Sequence, residues 1–213
     1  MPIDARSALG PAERLIALLT AFAEAELPPL DAAEPRYPKT LRLKAFPGAL
    51  LDAALSDASA HTLIAMSHID RAGRPFQSVL GFHYMDGKIH VMSRSNAAKI
   101  KRLQDNPACS FLYHTNVSGP ANMGCLTLVG KARVVDDKAY IHRANVAMSH
   151  KAFRDSQIAP GGVETMIETM DNADRRAIVL DEIEGVYILT PSPPHLPAGL
   201  PLPVISWRAD RSD

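Results

Sequence analysis

Apolar and polar residues alternate with a period of two along much of the segment 61–135, which predicts a run of β-strands broken by one short helix. The alternation is clearest in Lys88–Ser93, Ala108–His114 and Cys125–Val135. Asp86-Gly87 precedes the first of these strands and predicts a tight β-hairpin, because both residues tolerate the positive φ angles of such a turn. The centre of the chain is therefore predicted to be a β-sheet.

Helical periods predict the elements around this sheet. Leu15, Leu19 and Phe22 recur at helical spacing behind Pro11, which indicates an amphipathic helix rather than a signal peptide. The other predicted elements are helices at Pro47–Ala58, Asp136–Ala147 and Val163–Met170, a strand at Ala177–Thr190, and a loop at Asn116–Gly124 that is either a substrate gate or a wide turn. Residues 1–42 are expected to be a helical extension and connector, and residues 43–213 the main domain.

The short helix after the strand Lys88–Ser93 carries the clearest candidate chemistry. Ser95 is predicted to cap this helix, whose opening turn leaves amide groups unpaired and carries a partial positive charge. Lys99, one turn inside, is expected to reach back over Ser95, and Arg94 offers a planar guanidinium that suits phosphate oxygens. The pattern favours an anion site, although the same residues are common on the solvated face of an ordinary helix.

Composition narrows the class of protein. The chain has 213 residues, 46% of them hydrophobic, and its 23 basic residues balance its 23 acidic ones. It is long enough for one sizeable core, and zero net charge excludes the global basic field that attracts nucleic acid. No apolar stretch is long enough to span a membrane. Cys109 and Cys125 are expected to be free thiols on neighbouring strands, which is typical of a reducing, cytoplasmic location.

A longer pattern in the sequence resembles a known family. The pattern consists of Thr62–Ser67, Asp70–Pro75, Phe76–Met85, the turn Asp86-Gly87-Lys88, Ile89–Ser93 and Ala98–Pro107. In this order and spacing, these segments resemble the FMN-binding split-barrel superfamily, of which pyridoxamine 5′-phosphate oxidase is the namesake. The resemblance covers roughly Leu43–Val135 and, more weakly, Ala177–Thr190. It implies an α+β fold that is predominantly β, a split β-barrel with peripheral helices.

The resemblance also implies a cofactor site. It puts the isoalloxazine ring of FMN beside the second strand, and the phosphate at the end of the third strand and the following helix. The implied cofactor-binding residues are Gln77, Ser78, Val79 and Leu80 along the ring, Met92 near it, and Ser93, Arg94, Ser95 and Lys99 around the phosphate. In the alternative interpretation, Gln77 and Ser78 form the outward side of a hairpin strand, while Val79 and Leu80 are core.

Split barrels of this kind are usually paired, so the resemblance implies a homodimer with the cofactor between the subunits. Trp207 would then cover the flavin site of the other subunit, or it packs at a sheet edge. Pyridoxamine phosphate oxidase proper has an Arg-x-His substrate signature near its C-terminus. This chain lacks that signature, so vitamin B6 oxidation is not expected.

The histidines support a rival interpretation. His83, His90 and His114 lie on predicted strands, and His142 and His150 flank a later helix. Imidazole is a common haem ligand, so a haem-binding or haem-degrading protein on the same barrel is an alternative. No HxxxH pair or carboxylate partner marks a metal centre, and no metal site is predicted. His114 is the candidate for orienting the substrate or donating a proton.

The expected function is that of an FMN-dependent oxidoreductase acting on a small organic substrate or on oxygen, with NADH or NADPH as a candidate electron donor. The sequence contains no Gly-x-Ser-x-Gly elbow, Walker loop or Rossmann glycine fingerprint that would indicate different chemistry. A deazaflavin in place of FMN, and a flavin-binding module without turnover, remain as alternatives.

Overall fold

The computed structural model describes residues 11–29, 36–56, 63–114, 124–153, 161–191, 196 and 202–209. Within these ranges the chain forms five α-helices and nine β-strands, and the strands share one sheet. The predicted α+β class with a dominant sheet is therefore confirmed. The predicted loop Asn116–Gly124 lies outside the described residues, except for Gly124.

The elements follow in chain order. The helices are α1 (Pro11–Glu26), α2 (Gly48–Ser56), α3 (Ala98–Asp105), α4 (Lys138–Phe153) and α5 (Gly162–Met170). The strands are β1 (Thr40–Arg42), β2 (Leu63–Ile69), β3 (Pro75–Gly81), β4 (His83–Met85), β5 (Lys88–Arg94), β6 (Ala108–His114), β7 (Cys125–Val135), β8 (Arg175–Leu189) and β9 (Val204–Arg208). Strands β6 and β7 have the predicted bounds, whereas α4 continues to Phe153 instead of ending at Ala147.

The chain divides into two compact units. The first unit comprises residues 1–57, 112–128 and 185–213, and the second comprises 58–111 and 129–184. Strands β6, β7 and β8 contribute residues to both units. The predicted division into a helical extension over residues 1–42 and a main domain over residues 43–213 stays a prediction.

The sheet has the strand order β1-β9-β8-β7-β6-β2-β3, and β5 pairs with both β8 and β4. The pairs β2–β3, β4–β5, β5–β8 and β8–β9 are antiparallel, whereas β1 runs parallel to β9. The sequence pattern predicts neither β1 nor β9, because strands of three and five residues next to prolines show too little alternation. Their pairing becomes visible only in the folded chain.

Helices α1 and α2 contact each other and supply much of the core of the first unit. Leu15, Leu19 and Ala23 recur every four residues along α1 and are all buried, which confirms the predicted amphipathic helix. Leu51 and Leu55 of α2 are buried in the same way. This part of the core is thus built by the helical period that the sequence shows.

Two hairpins organise the second unit. The predicted β4–β5 hairpin is confirmed: Met85 pairs with Lys88, and the two turn residues Asp86 and Gly87 have φ angles of 54° and 71°. Such left-handed angles define the turn that matches the twist of the strands. The β2–β3 hairpin is closed by Asp70, whose carboxylate accepts hydrogen bonds from the backbone of the following turn.

Candidate functional site

The end of β5 and the start of α3 bring together four of the predicted site residues: Ser93, Arg94, Ser95 and Lys99. Ser95 is not the helix cap, because the N-cap of α3 is Ala97, whose side chain makes no capping hydrogen bond. Instead, the Ser95 amide donates to the carbonyl of Asp174 at 2.5 Å, and the Ala97 amide donates to the carbonyl of Arg94 at 3.0 Å. This turn delays the start of the helix, so the predicted Ser95 cap is wrong.

Lys99 is consequently the second residue of α3 and lies in its first turn, not one turn further in as predicted. Arg94 is exposed and Lys99 is half-buried. Neither cation has a carboxylate partner in the described part of the chain, and the first turn of α3 contains no acidic residue. A cation at the positive end of a helix dipole opposes that dipole by about 0.3–1 kcal/mol. An oxyanion would remove this repulsion, so these residues fit a phosphate group.

Strand β3 lies at the end of the sheet and pairs only with β2 among the described strands. Alternate backbone N–H and C=O groups of β3 therefore face away from its partner strand, where they can bind polar groups of a ligand. Val79 is 63% exposed and Gln77 is exposed, whereas Ser78 and Leu80 are half-buried. In the alternative interpretation, the outward position of Gln77 agrees with the structure, whereas the core position of Val79 is wrong because its side chain is exposed.

Met92 and Ser93 have well-defined surroundings. Met92 packs against the buried cluster formed by Val135, Ile141, Ala177 and Val179. Ser93 is itself buried, with 5% of its surface exposed. The structure thus shows a packing role for Met92, and its predicted closeness to a flavin ring stays a prediction.

Sequence reasoning missed a group of three residues next to this site. His68 of β2 is 3% exposed, and neither of its ring nitrogens has a hydrogen-bond partner among the described residues. Phe76 lies opposite His68 in β3, with 6.0 Å between the ring centroids, and the Arg102 guanidinium of α3 lies 3.5 Å from the centre of the Phe76 ring. Burial, and then the charges of Arg102 and Lys99, hold the pKa of His68 below its usual value.

The sequence contains a signal for this group. His68 follows Ile64 and Met66 in the alternation of β2, and both of those residues are fully buried. The alternation therefore puts an imidazole on the core face of the sheet. A buried histidine among apolar residues is unusual enough to be examined as a functional residue.

His114 and Trp207 belong to the first unit. Trp207 packs edge-to-face against Phe46, with 4.8 Å between ring centroids, and the Arg208 guanidinium donates to the Tyr187 hydroxyl at 2.8 Å. His114 ends β6 and is exposed. These contacts agree with the edge-packing interpretation of Trp207, while the cofactor role of Trp207 and the proton-donor role of His114 stay predictions.

His90 of β5 and His142 of α4 have protein partners. The Nδ1–H of His90 donates to the Lys88 carbonyl at 3.0 Å, and Nε2 accepts from the Tyr140 hydroxyl at 2.6 Å. Burial lowers the pKa of His90, which favours the neutral imidazole that this arrangement requires. His142 pairs with Asp171 at 2.6 Å on the surface. Across the described ranges, no cluster of three metal-ligating side chains occurs.

Comparisons with known proteins agree with this architecture. The family model described as pyridoxamine 5′-phosphate oxidase matches residues 51–189. A conserved hypothetical protein from Mycobacterium tuberculosis is 16% identical in sequence and superposes with a TM-score of 0.56, covering 77% of this chain and 96% of its own. At this identity the likeness shows a shared fold.

Two further solved structures are more distant. A heme binding protein from Mycobacterium smegmatis is 17% identical with a TM-score of 0.46, covering 61% of this chain and 49% of its own. An F420 reductase is 15% identical with a TM-score of 0.44, covering 63% of this chain and 94% of its own. No curated protein matches the sequence. Within the described residues, no helix has the length and apolar character needed to cross a membrane.

Proposed function

Because the chain belongs to the pyridoxamine 5′-phosphate oxidase family, we propose that it is an FMN-dependent oxidoreductase that acts on a small organic substrate. The family includes oxidoreductases, and the fold is the split barrel with peripheral helices that the sequence predicts. The proposal goes further in naming the cofactor and the type of reaction. It is supported by the chemistry of the residues at the end of β5 and the start of α3.

The pair of cations Arg94 and Lys99 is the observation on which this proposal depends. They lie within six residues of one another along the chain, next to a helix N-terminus and without a carboxylate partner in the described part of the chain. A guanidinium and an ammonium at such a place suit the dianionic phosphate of FMN. Ser93 and Ser95 would complete the phosphate environment, Ser95 through its hydroxyl because its amide is already bonded.

The open edge of β3 suits the ring of the cofactor. Its outward backbone groups can donate to the polar rim of the isoalloxazine, and the exposed Val79 side chain offers apolar surface next to Gln77. When bound, the flavin accepts and releases an electron pair. The chain itself binds the phosphate, orients the ring and offers backbone donors where negative charge develops on the reduced ring.

A homodimer with the cofactor between subunits, and a cytoplasmic location, are part of the proposal. The exposed apolar side chains Leu63 and Val79 lie on the same face of β2 and β3, which supports burial of that face in an assembly. The two cysteines are free, with Cys109 buried, which suits a reducing compartment.

Charge reversal tests the phosphate site. The double variant Arg94→Glu/Lys99→Glu should lose at least about 100-fold in FMN affinity, since hydrogen bonds to charged groups are worth about 1.5–3 kcal/mol each. The matched control is Lys101→Glu, which makes the same change on an exposed position of α3 and should bind FMN normally. Fluorescence quenching of FMN measures the affinity. Unchanged affinity in a correctly folded double variant would contradict the proposal.

The bound cofactor and its reactivity need their own measurements. The absorption spectrum of the purified protein separates flavin bands from a haem Soret band, and mass analysis of the released ligand separates FMN from a deazaflavin. Anaerobic addition of NADH or NADPH should bleach the flavin of an enzyme and leave a passive flavin-binding module oxidised.

His114→Ala should lower turnover if His114 orients the substrate or donates a proton, and unchanged turnover would remove it from the site.

A further inference from the structure

The imidazole of His68 is a buried polar group with no hydrogen-bond partner in the described part of the chain. Only 3% of His68 is exposed, and both ring nitrogens lack a hydrogen-bond partner among the described residues. Such groups are rare in folded proteins, because a buried donor or acceptor that leaves water without a new partner is destabilising. A bound ion can supply the partner that such a group lacks.

The surroundings of His68 are positively charged. Phe76 faces it from β3, the Arg102 guanidinium lies over the Phe76 ring at 3.5 Å, and the charge of Lys99 also acts on the imidazole. Burial and these two cations keep the pKa of His68 below its usual value, so the ring is neutral.

The nearby carboxylates are already engaged. Asp70, two residues beyond His68 in the chain, is held by Arg74 at 2.8 Å, and Asp105 at the end of α3 is held by Arg71 at 2.7 Å. Each of these carboxylates is paired with an arginine of its own. The net charge facing His68 from α3 therefore remains positive until an anion arrives.

We propose that His68 is a positioning residue that takes up a proton when an oxyanion binds between Lys99, in the first turn of α3, and Arg102, in its last turn, and that the ring N–H of His68 then donates to that oxyanion. The inference rests on the anion site of the proposed function and adds Arg102 and His68 to it. The anion neutralises the two cations that disfavour a charged imidazole and supplies the missing acceptor. One proton comes from the solvent, and no bond between heavier atoms forms or breaks.

Sulfate is a suitable probe, because it does not titrate near neutral pH. The titration curve of His68 is followed by NMR through its ring C–H signals, in sodium sulfate and in sodium chloride of equal ionic strength. The apparent pKa of His68 should be higher in sulfate by about one unit. His90, whose ring nitrogens already contact the Lys88 carbonyl and the Tyr140 hydroxyl, serves as the internal control, and its signals should respond to pH equally in both salts. His68→Gln identifies the signals of His68.

Lys99→Gln tests the role of the cation in the same experiment. Removing this charge should raise the pKa of His68 in chloride and reduce the additional rise caused by sulfate. Equal titration of His68 in the two salts would overturn the inference, whether or not FMN binds.

Calorimetry with FMN separates this inference from the proposed function. Binding of FMN at neutral pH, measured in two buffers of different ionisation enthalpy, should be accompanied by uptake of up to about one proton, and His68→Gln should abolish this uptake and weaken binding about 10-fold. If FMN does not bind but sulfate raises the pKa of His68, the cofactor proposal fails and the inference stands. If FMN binds with the same proton uptake in wild type and His68→Gln, the inference fails and the cofactor proposal stands.

Discussion

Gly130 of β7 is a position at which the addition of a single methyl group is expected to destabilise the fold. A Cβ atom at Gly130 of β7 would lie 1.8 Å from the carbonyl oxygen of Glu182 and 2.9 Å from its carbonyl carbon, with the Cα of Ile183 at 3.2 Å. All three atoms belong to the backbone of β8. The clash cannot be relieved by rotating a side chain, so one strand must move.

The size of the effect follows from two opposing contributions. Alanine in a strand interior gains about 0.5–1 kcal/mol over glycine through lower chain entropy. The contact requires a carbon–oxygen distance of about 3.3 Å, so the backbone must retreat by roughly 1.5 Å. Overpacking of this kind costs about 1–3 kcal/mol and occasionally more. Because a backbone shift of this size lies at the upper end of that range, the clash outweighs the gain, and we expect Gly130→Ala to lower the free energy of unfolding by about 2–2.5 kcal/mol.

Urea unfolding followed by the fluorescence of Trp207, the only tryptophan of the chain, measures this difference. The melting temperature should fall by about 5–10 °C for a chain of this size. Gly81→Ala is the matched control, because a Cβ at Gly81 of β3 meets nothing within 4 Å. Gly81→Ala should be neutral or slightly stabilising. Equal stabilities of the two variants would refute this account of the β7–β8 contact.

Three further predictions concern protons, thiols and the aromatic pair. Burial lowers the pKa values of His68 and His90, so the unfolded chain binds more protons than the folded chain below about pH 6.5. The free energy of unfolding should therefore fall as the pH is lowered from about 7 to about 5.5. Urea titrations at several pH values measure this dependence, and His90→Gln should make it weaker. Burial raises the pKa of Cys109 to about 12, so it should resist a disulfide reagent until urea unfolds the chain; rapid labelling of the native protein would contradict this. Phe46→Ala should change the emission of Trp207 and destabilise by about 1 kcal/mol, and an unaltered spectrum would argue against their edge-to-face contact.

The candidate site shows how far local sequence information extends. The sequence could single out Arg94 and Lys99, because the end of β5 and the start of α3 are adjacent in the chain. The hydrophobic pattern predicts both of these elements. The Ser95 cap was wrong, because the backbone around Ser95 is held by the carbonyl of Asp174, far away in sequence. A local sequence pattern that predicts a helix cap carries no information about a hydrogen bond to a residue that is distant in the chain.

The strands from β2 to β7, the tight Asp86-Gly87 turn and the amphipathic α1 were determined by the sequence itself, since alternation, turn residues and helical spacing are local properties. The tertiary structure alone decided that β1 lies beside β9 and that Val79 faces outward. It alone decided that His68 is buried beside the cations of α3, with no hydrogen-bond partner for its ring among the residues that the structure describes. These features depend on contacts between segments distant in the chain, and no periodicity within a single segment encodes them.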